Sequence, residues 1–220
     1  MSFIDKVTYG NLSLKYKEKT LQHDEVSEKL IKLDLYDHLF EMPPSSNSSN
    51  QTKRELLKLV DNIKNLSDIK LEFCKKAEKD HVGLFVEYLN RHGVEDIKKD
   101  DLNEVLNELE PLLIRLKEHY NRPRPYQLAN YYGLDLYVPV EACNALTPSY
   151  PSGHSYEGYI LGELLSKRYP EHKDGLLKLG KNIGLSRLVI GVHYRSDHDF
   201  GRYLGKTIIE NELIHLQKLM

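Results

Sequence analysis

The apolar residues between Leu102 and Leu116 are spaced as on one face of an α-helix. They follow the i, i+3, i+4, i+7 pattern, and charged residues occupy many of the positions between them. Such a stripe predicts an amphipathic helix that buries one side against other helices and ends near Tyr120. Because similar stripes recur along most of the chain, we expect an all-α fold in which helices cover one another's apolar faces.

Six further segments show comparable helical patterns. They span residues 25–40, 54–66, 69–92, 153–168, 172–190 and 196–218. The polar run at residues 43–52 is too poor in apolar surface to order itself, so we predict a flexible loop and a candidate boundary there. Residues 134–140 alternate in polarity and are the one candidate for a short strand.

Glycines four residues apart recur in each of the last three predicted helices. The pairs are Gly158 and Gly162, Gly180 and Gly184, and Gly201 and Gly205. Glycine in a helix interior costs about 1 kcal/mol relative to alanine, so its recurrence indicates helices whose backbones approach closely. Charged residues on the same helices favour packing of this kind in water rather than in lipid.

The charge balance and the hydropathy of the chain exclude several classes of function. The chain has 31 basic and 33 acidic residues and a formal net charge of −2, which predicts no nucleic-acid partner. No apolar segment has the length of a membrane span or of a signal peptide, so we expect no membrane span and a cytoplasmic location. Cys74 and Cys143 fit no metal-ligand spacing and are expected to be free thiols.

Three separated segments carry polar residues at fixed spacings. They are K-x6-RP from Lys117 to Pro125, PSGH at residues 151–154, and SR-x5-H-x3-D from Ser186 to Asp197. Their cations Lys117, Arg124 and Arg187 suit an anion with close to two negative charges, such as a phosphate monoester. The helix predicted to begin at Gly153 adds backbone N–H groups that also favour an anion.

In order and spacing, these segments resemble the three-part signature of the type 2 phosphatidic acid phosphatase (PAP2) superfamily, which includes class A acid phosphatases and vanadium haloperoxidases. Every fixed position is met, over about residues 117–197. The resemblance implies an all-α, single-domain helical bundle of the acid phosphatase/vanadium haloperoxidase type. Residues 96–220 would form the PAP2-like catalytic core, and residues 1–95 an N-terminal helical region of open role packed on that core.

The resemblance also implies a role for each residue of the signature. The phosphate-binding residues would be Lys117, Arg124, Ser152, Gly153, His154 and Arg187. His193 would be the nucleophile that takes the phosphoryl group, with its tautomer fixed by Asp197, and His154 would be the general acid and base. One neutral and one protonated histidine predict a bell-shaped pH profile. No metal and no cofactor are expected, because the cations of the protein take their place.

The function that the resemblance implies is hydrolysis of phosphate monoesters by a soluble, metal-independent phosphatase through a phosphohistidine intermediate. The substrate would be a small phosphorylated molecule, and nucleotides, sugar phosphates, diphosphates and lipid phosphates all stay open. Vanadate is expected to inhibit. Because related soluble enzymes are often oligomeric, we expect a homo-oligomer.

Three alternatives stay open at this point. A vanadium haloperoxidase would use nearly the same residues to hold vanadate, which would then be a cofactor. His198 and Asp199 form an HD pair that resembles metal-dependent phosphohydrolases, although those need another histidine and a distant aspartate around the metal. A phosphate-binding module without turnover would leave both signature histidines and Asp197 without a use.

Overall fold

The computed structural model describes residues 2–10, 33–141 and 146–218, and within these ranges the chain forms seven α-helices and no strand. The helices are α1 (Asn50–Lys64), α2 (Asp68–Asn90), α3 (Lys99–Tyr120), α4 (Pro125–Ala129), α5 (Gly153–Arg168), α6 (Lys173–Val189) and α7 (Arg195–Gln217). Short 3₁₀ helices span Phe3–Lys6, Leu33–Glu41, Asn130–Tyr132 and Pro170–His172. The all-α fold is confirmed. None of the helices just described combines the length and the apolar character that crossing a membrane requires.

Most of the predicted helices coincide with observed ones within a few residues, the largest shift being at α1, which begins at Asn50. The helix predicted at residues 25–40 falls partly outside the described residues, and its described part is 3₁₀ helix. The strand predicted at residues 134–140 is wrong. Leu136 is buried between exposed neighbours, so the alternation reflects one-sided packing of an extended segment without a partner strand in the described ranges.

The polar run at residues 43–52 is more ordered than its composition predicts. Its last three residues already belong to α1, which Ser49 caps by accepting a hydrogen bond from the Thr52 N–H at 3.1 Å. The Asn47 side chain donates to the backbone oxygen of Ile4 at 3.1 Å. The prediction of a flexible loop was therefore wrong for this run, because side-chain hydrogen bonds to nearby backbone replace the missing apolar contacts.

Helices α5, α6 and α7 approach one another through their glycines, as the sequence predicts. A Cβ built on Gly180 would lie 2.0 Å from the backbone oxygen of Gly158, and one on Gly158 would lie 2.7 Å from that of Gly180. On α7, a Cβ at Gly201 would lie 2.6 Å from the backbone oxygen of Ser152. No side chain fits at such distances, so the helices pack backbone to backbone.

Helix α5 connects the other helices into the core. Its residues Tyr156 and Ile160 pack with side chains of α3 and α7, whereas Leu161 and Leu165 pack with side chains of α2 and α6. Burying an aliphatic or aromatic side chain of this size stabilises the fold by about 1.5–3 kcal/mol. The N-terminus of α5, which carries the PSGH segment, is therefore held by contacts on several sides.

Helices α1 and α2 of the N-terminal part pack against α6. Helix α2 is interrupted at Asp80, where φ is −162° and ψ is 75°. The Asp80 carboxylate accepts from the Gly83 N–H at 2.8 Å and pairs with Lys99 Nζ at 2.7 Å, which holds the interruption in place. The division after residue 95 stays a prediction.

Candidate active site

The three signature segments meet at one end of the bundle. Their residues come from the last turn of α3, the start of α4, the start of α5, the end of α6 and the α6–α7 junction, and they are Lys117, Arg124, Ser152, Gly153, His154, Arg187, His193 and Asp197. All but Gly153 are buried. Six of the eight line a cavity of about 220 Å³, and the other two, Ser152 and Asp197, are buried but do not line it.

The chain reverses between α3 and α4, which brings Lys117 and Arg124 to the same site. Asn121 ends α3 in the left-handed conformation, with φ 41° and ψ 39°, which asparagine adopts more readily than most residues. Lys117 therefore lies in the last turn of α3, and the chain reverses before Arg124. Pro125 then starts α4 at a position where its missing N–H is not needed.

His193 is held at both ring nitrogens. Its Nδ1 lies 3.1 Å from Asp197 Oδ2, and its Nε2 lies 2.8 Å from Arg124 Nη1. Because a guanidinium group can only donate, Nε2 accepts and the ring proton is on Nδ1. Burial, and after it the charge of Arg124, lowers the pKa of His193 well below its usual value. The imidazole is therefore neutral, with the Nε2 lone pair on the cavity side.

Asp197 is completely buried and accepts hydrogen bonds at both oxygens. Its Oδ2 accepts from the side chains of Ser149 and His193 and, at 2.9 Å, from the Tyr194 N–H. Its Oδ1 accepts from Arg122 Nη1 at 2.6 Å. These partners fix the carboxylate, which in turn fixes the tautomer and the orientation of His193.

Arg122 belongs to the candidate site by its contacts, although the sequence did not single it out. It is buried, lies 3.7 Å from Glu55 Oε2 of α1, and stacks with its guanidinium 3.9 Å from the centre of the Tyr194 ring. The run RPRP offered a signal, because it holds a second arginine next to the signature arginine. Nothing in the sequence links that arginine to Asp197, 75 residues away.

The three predicted phosphate-binding cations lie close enough to affect one another. Lys117 Nζ and Arg124 Nε donate to backbone oxygens of the segment before PSGH, at 2.7 and 2.8 Å. Burial and the neighbouring guanidinium groups lower the pKa of Arg124 to about 10 and that of Lys117 well below its usual value. Arg187 is paired with Glu78 of α2. Buried cations that repel one another favour the entry of an anion.

His154 lies beside a second histidine, His81 of α2. The two ring centroids are 4.6 Å apart, and His154 Nε2 is 3.3 Å from the backbone oxygen of Ala77. Burial, and after it the charge of Arg187, lowers the pKa of His154 well below its usual value. The imidazole is therefore neutral in this structure. The protonated form predicted for His154 requires an adjacent anion, which would raise its pKa.

Ser152 is held by a chain of side-chain hydrogen bonds. Its hydroxyl accepts from Ser155 Oγ at 2.9 Å, and the same Ser155 oxygen lies 2.8 Å from His198 Nδ1. Burial lowers the pKa of His198 to about 4, so the ring is neutral near pH 7. The chain links α7 to the start of α5.

The HD pair does not form a metal centre. His198 is buried against Ser155, whereas Asp199 is exposed and accepts from Arg195 Nε at 2.8 Å. Within the described ranges, neither residue belongs to a group of three metal-ligating side chains. The metal-dependent HD alternative is therefore not supported.

Comparison with known proteins agrees with this geometry. The family model of the PAP2 superfamily matches residues 103–210. The chain is 40% identical over 91 residues to the "Non-specific acid phosphatase" of Salmonella typhimurium, a match that covers 40% of this chain and 35% of that relative. It is 38% identical over 100 residues to the "Non-specific acid phosphatase" of Providencia stuartii, covering 42% and 37%. It is 32% identical over 94 residues to the "Acid phosphatase" of Zymomonas mobilis, covering 40% and 32%.

The matched part of the chain spans about a third of the length of these curated relatives. The family match at residues 103–210 encloses all three signature segments, from Lys117 to Asp197. The fold, the site and the relatives agree in assigning residues 103–210, about half of the chain, to the PAP2 superfamily.

Proposed function

We propose that this protein hydrolyses phosphate monoesters through a phosphohistidine intermediate and without a metal ion. The observation that carries the proposal is the state of His193, which is neutral, has its proton on the Asp197 side and has its Nε2 beside Arg124. A neutral imidazole can attack a phosphorus atom with its Nε2 lone pair once Arg124 has turned from that nitrogen to a phosphate oxygen. The names of the acid phosphatase relatives support the same class of reaction.

In the first step, the His193 Nε2 lone pair forms the N–P bond while the P–O bond to the leaving group breaks. Arg124 gives up its contact with Nε2 and turns to a phosphate oxygen. Together with Lys117 and Arg187 it stabilises the charge on the transferring phosphoryl group. Asp197 stabilises the positive ring that forms, and His154 gives its proton to the leaving oxygen.

In the second step, water attacks the phosphorus atom and the N–P bond breaks. His154 takes one proton from that water, so it returns to its starting state, and inorganic phosphate leaves. The bound dianion supplies the negative charge that raises the pKa of His154 for the first step. We therefore keep the expectation of a bell-shaped pH profile, which a flat profile from about pH 4 to 9 would contradict.

The proposed substrate is a small phosphorylated molecule whose leaving group contacts the outer part of the cavity. Leu113, Ile114 and Glu110 line that cavity together with the cations. We propose that no nucleic-acid partner takes part and that the protein forms a homo-oligomer, which light scattering would test. The cytoplasmic location expected from the sequence stays a prediction.

The direct test is phosphate release from p-nitrophenyl phosphate in excess chelator, with and without orthovanadate. We expect activity that survives chelation, falls with vanadate and drops by at least about 10³-fold in His193→Ala. His38→Ala, which removes an exposed histidine, is the matched control and should keep its activity. Rapid quenching of the wild type should also trap an acid-labile phosphoprotein that the His193 variant lacks.

Each other result has a defined meaning. Activity that disappears in chelator would contradict metal independence, and an active His193→Ala would contradict the assignment of the nucleophile. Oxidation of bromide by the vanadate-loaded protein with peroxide would support the haloperoxidase alternative. Tight phosphate binding without release from any ester would support a binding module.

A further inference from the structure

The cavity has one acidic corner that phosphate binding does not explain. Glu157 lies on the cavity wall, where a carboxylate repels the substrate. Burial alone would raise the pKa of Glu157, but His81 and Lys117 help to keep it below its usual value. Glu157 is therefore a negative charge at the edge of an anion site, and its nearest described partner is His81, at 2.7 Å.

The side chains around Glu157 have the composition of a metal site. His81, His154 and Glu157 each offer one ligand atom, and these atoms all lie within 4.8 Å of one another. His81 Nε2 is 2.7 Å from Glu157 Oε2. The same nitrogen is buried without a hydrogen bond of acceptable geometry, although the carboxylate is so close. A metal ion bound between the two groups would replace this close contact with a bond to each of them.

The fold holds these three side chains together. His154 and Glu157 are three residues apart on α5 and so share one face of the helix. His81 follows the interruption of α2 at Asp80, which Lys99 and the Gly83 N–H hold in place. The side chains of His81 and Glu157 are 17% and 22% exposed, so an ion from solvent can reach them.

Two histidines and one glutamate are a known ligand set for Zn²⁺ in which a fourth position stays open. With bonds of about 2.0–2.2 Å, tetrahedral ligand atoms lie about 3.4 Å apart. Atoms within 4.8 Å therefore need side-chain movements of about 1 Å to bind one ion. Arg187, whose charge acts on His154, is paired with Glu78, which reduces its repulsion of a divalent cation.

We propose that His81, His154 and Glu157 bind Zn²⁺ or a similar transition-metal ion, and that the bound ion inhibits the phosphatase. The ion takes a lone pair of His154, so His154 can no longer exchange a proton with the leaving group or with water. Metal binding does not depend on the proposed function, whereas inhibition rests on it.

The test measures binding on the full chain without substrate, by titration calorimetry with Zn²⁺ and by visible absorption with Co²⁺. We expect the bands of a four-coordinate Co²⁺ ion in the wild type. Because His81→Gln and Glu157→Gln each remove a direct ligand, their affinity should fall at least as much as the 10–100-fold typical of outer-shell changes. His92→Gln is the control, because His92 and His172, with ring centroids 5.1 Å apart, offer a competing surface pair.

Equal affinity in the wild type and in both ligand variants, or a loss confined to His92→Gln, would overturn the site. Circular dichroism checks each fold, and the second ligand variant replaces the first if one does not fold. Zn²⁺ should abolish wild-type phosphate release, chelator should restore it, and His81→Gln should resist the ion at the same concentration. Full wild-type activity at saturating Zn²⁺ would overturn the inhibition. Metal binding by a protein without phosphatase activity would leave the site standing and refute only the proposed function.

Discussion

Replacement of Asp197 by asparagine tests whether the tautomer of His193 controls turnover. Asparagine keeps the shape but has one accepting oxygen instead of two. If its NH₂ takes the place of Oδ2, it donates to His193 Nδ1, and the ring proton moves to Nε2, where the lone pair is needed. If its NH₂ takes the place of Oδ1, it faces Arg122 Nη1, a donor that is 2.6 Å from Oδ1 in the wild type. Neither orientation preserves the site.

The expected losses of kcat and of folding stability can both be estimated. A comparable aspartate-to-asparagine change in a serine-protease triad costs about 10⁴ in kcat, so we expect a loss of at least about 10³ here. Breaking a buried ion pair costs about 3–5 kcal/mol in the free energy of unfolding. Arg122 keeps Glu55 at 3.7 Å and the Tyr194 ring at 3.9 Å, so we expect the lower end, about 3 kcal/mol.

The assay compares kcat for p-nitrophenyl phosphate with the free energy of urea unfolding, under conditions in which each variant is folded. Glu55→Gln is the matched control, because Glu55 lies near Arg122 and binds Ser196 but does not contact His193. It should lose stability and keep kcat within about tenfold. If Asp197→Asn also kept kcat within that range, the tautomer argument would be refuted, whatever the loss of stability.

Two further predictions concern stability. Gly180→Ala would place its Cβ 2.0 Å from the Gly158 backbone oxygen and should destabilise the protein by about 1–3 kcal/mol. Gly162→Ala is the control, because its Cβ would have its nearest contact at 3.3 Å and should destabilise the protein less. Equal urea midpoints for the two variants would contradict the close helix contact. Burial lowers the pKa values of His193, His154 and His198 below the ordinary value of about 6.5, so the unfolded chain takes up protons before the folded one. The free energy of unfolding should therefore fall as the pH drops below about 6.5, by up to about 4 kcal/mol per pH unit for three histidines, and His198 should stop contributing near pH 4. Unfolding free energies that stay constant from about pH 7 to 5 would show that these rings are charged in the folded state.

The sequence predicts the parts of the site whose spacing is local. His193 lies two residues before α7 and Asp197 lies in its first turn, so the spacing of four residues keeps the two side chains close once α7 begins at Arg195. The convergence of the three segments follows from the family signature rather than from any one segment. The glycine pairs predict the contact of α5 with α6, because glycine in a helix interior has few reasons to recur other than close packing.

The residues that pack beside the signature residues, such as Glu78 and His81, could not be predicted from local spacing. Glu78 and Arg187 are 109 residues apart, and Glu78 is one of several carboxylates on a charged helix face. His81 gave no signal because its position beside His154 depends on the interruption of α2 at Asp80, which a helical pattern does not reveal. The polarity alternation at residues 134–140 led to a wrong strand prediction for a related reason, because a strand also needs a neighbouring strand to pair with.

The contact between Gly158 and Gly180 bears on when the catalytic geometry is assembled. It lies about one turn from His154 on α5 and about two turns from Arg187 on α6. With backbone against backbone, neither helix can slide without a collision, so the fold sets the separation of His154 and Arg187 before a substrate arrives. The entropy of bringing these groups together is then lost once, during folding, and not again in every turnover.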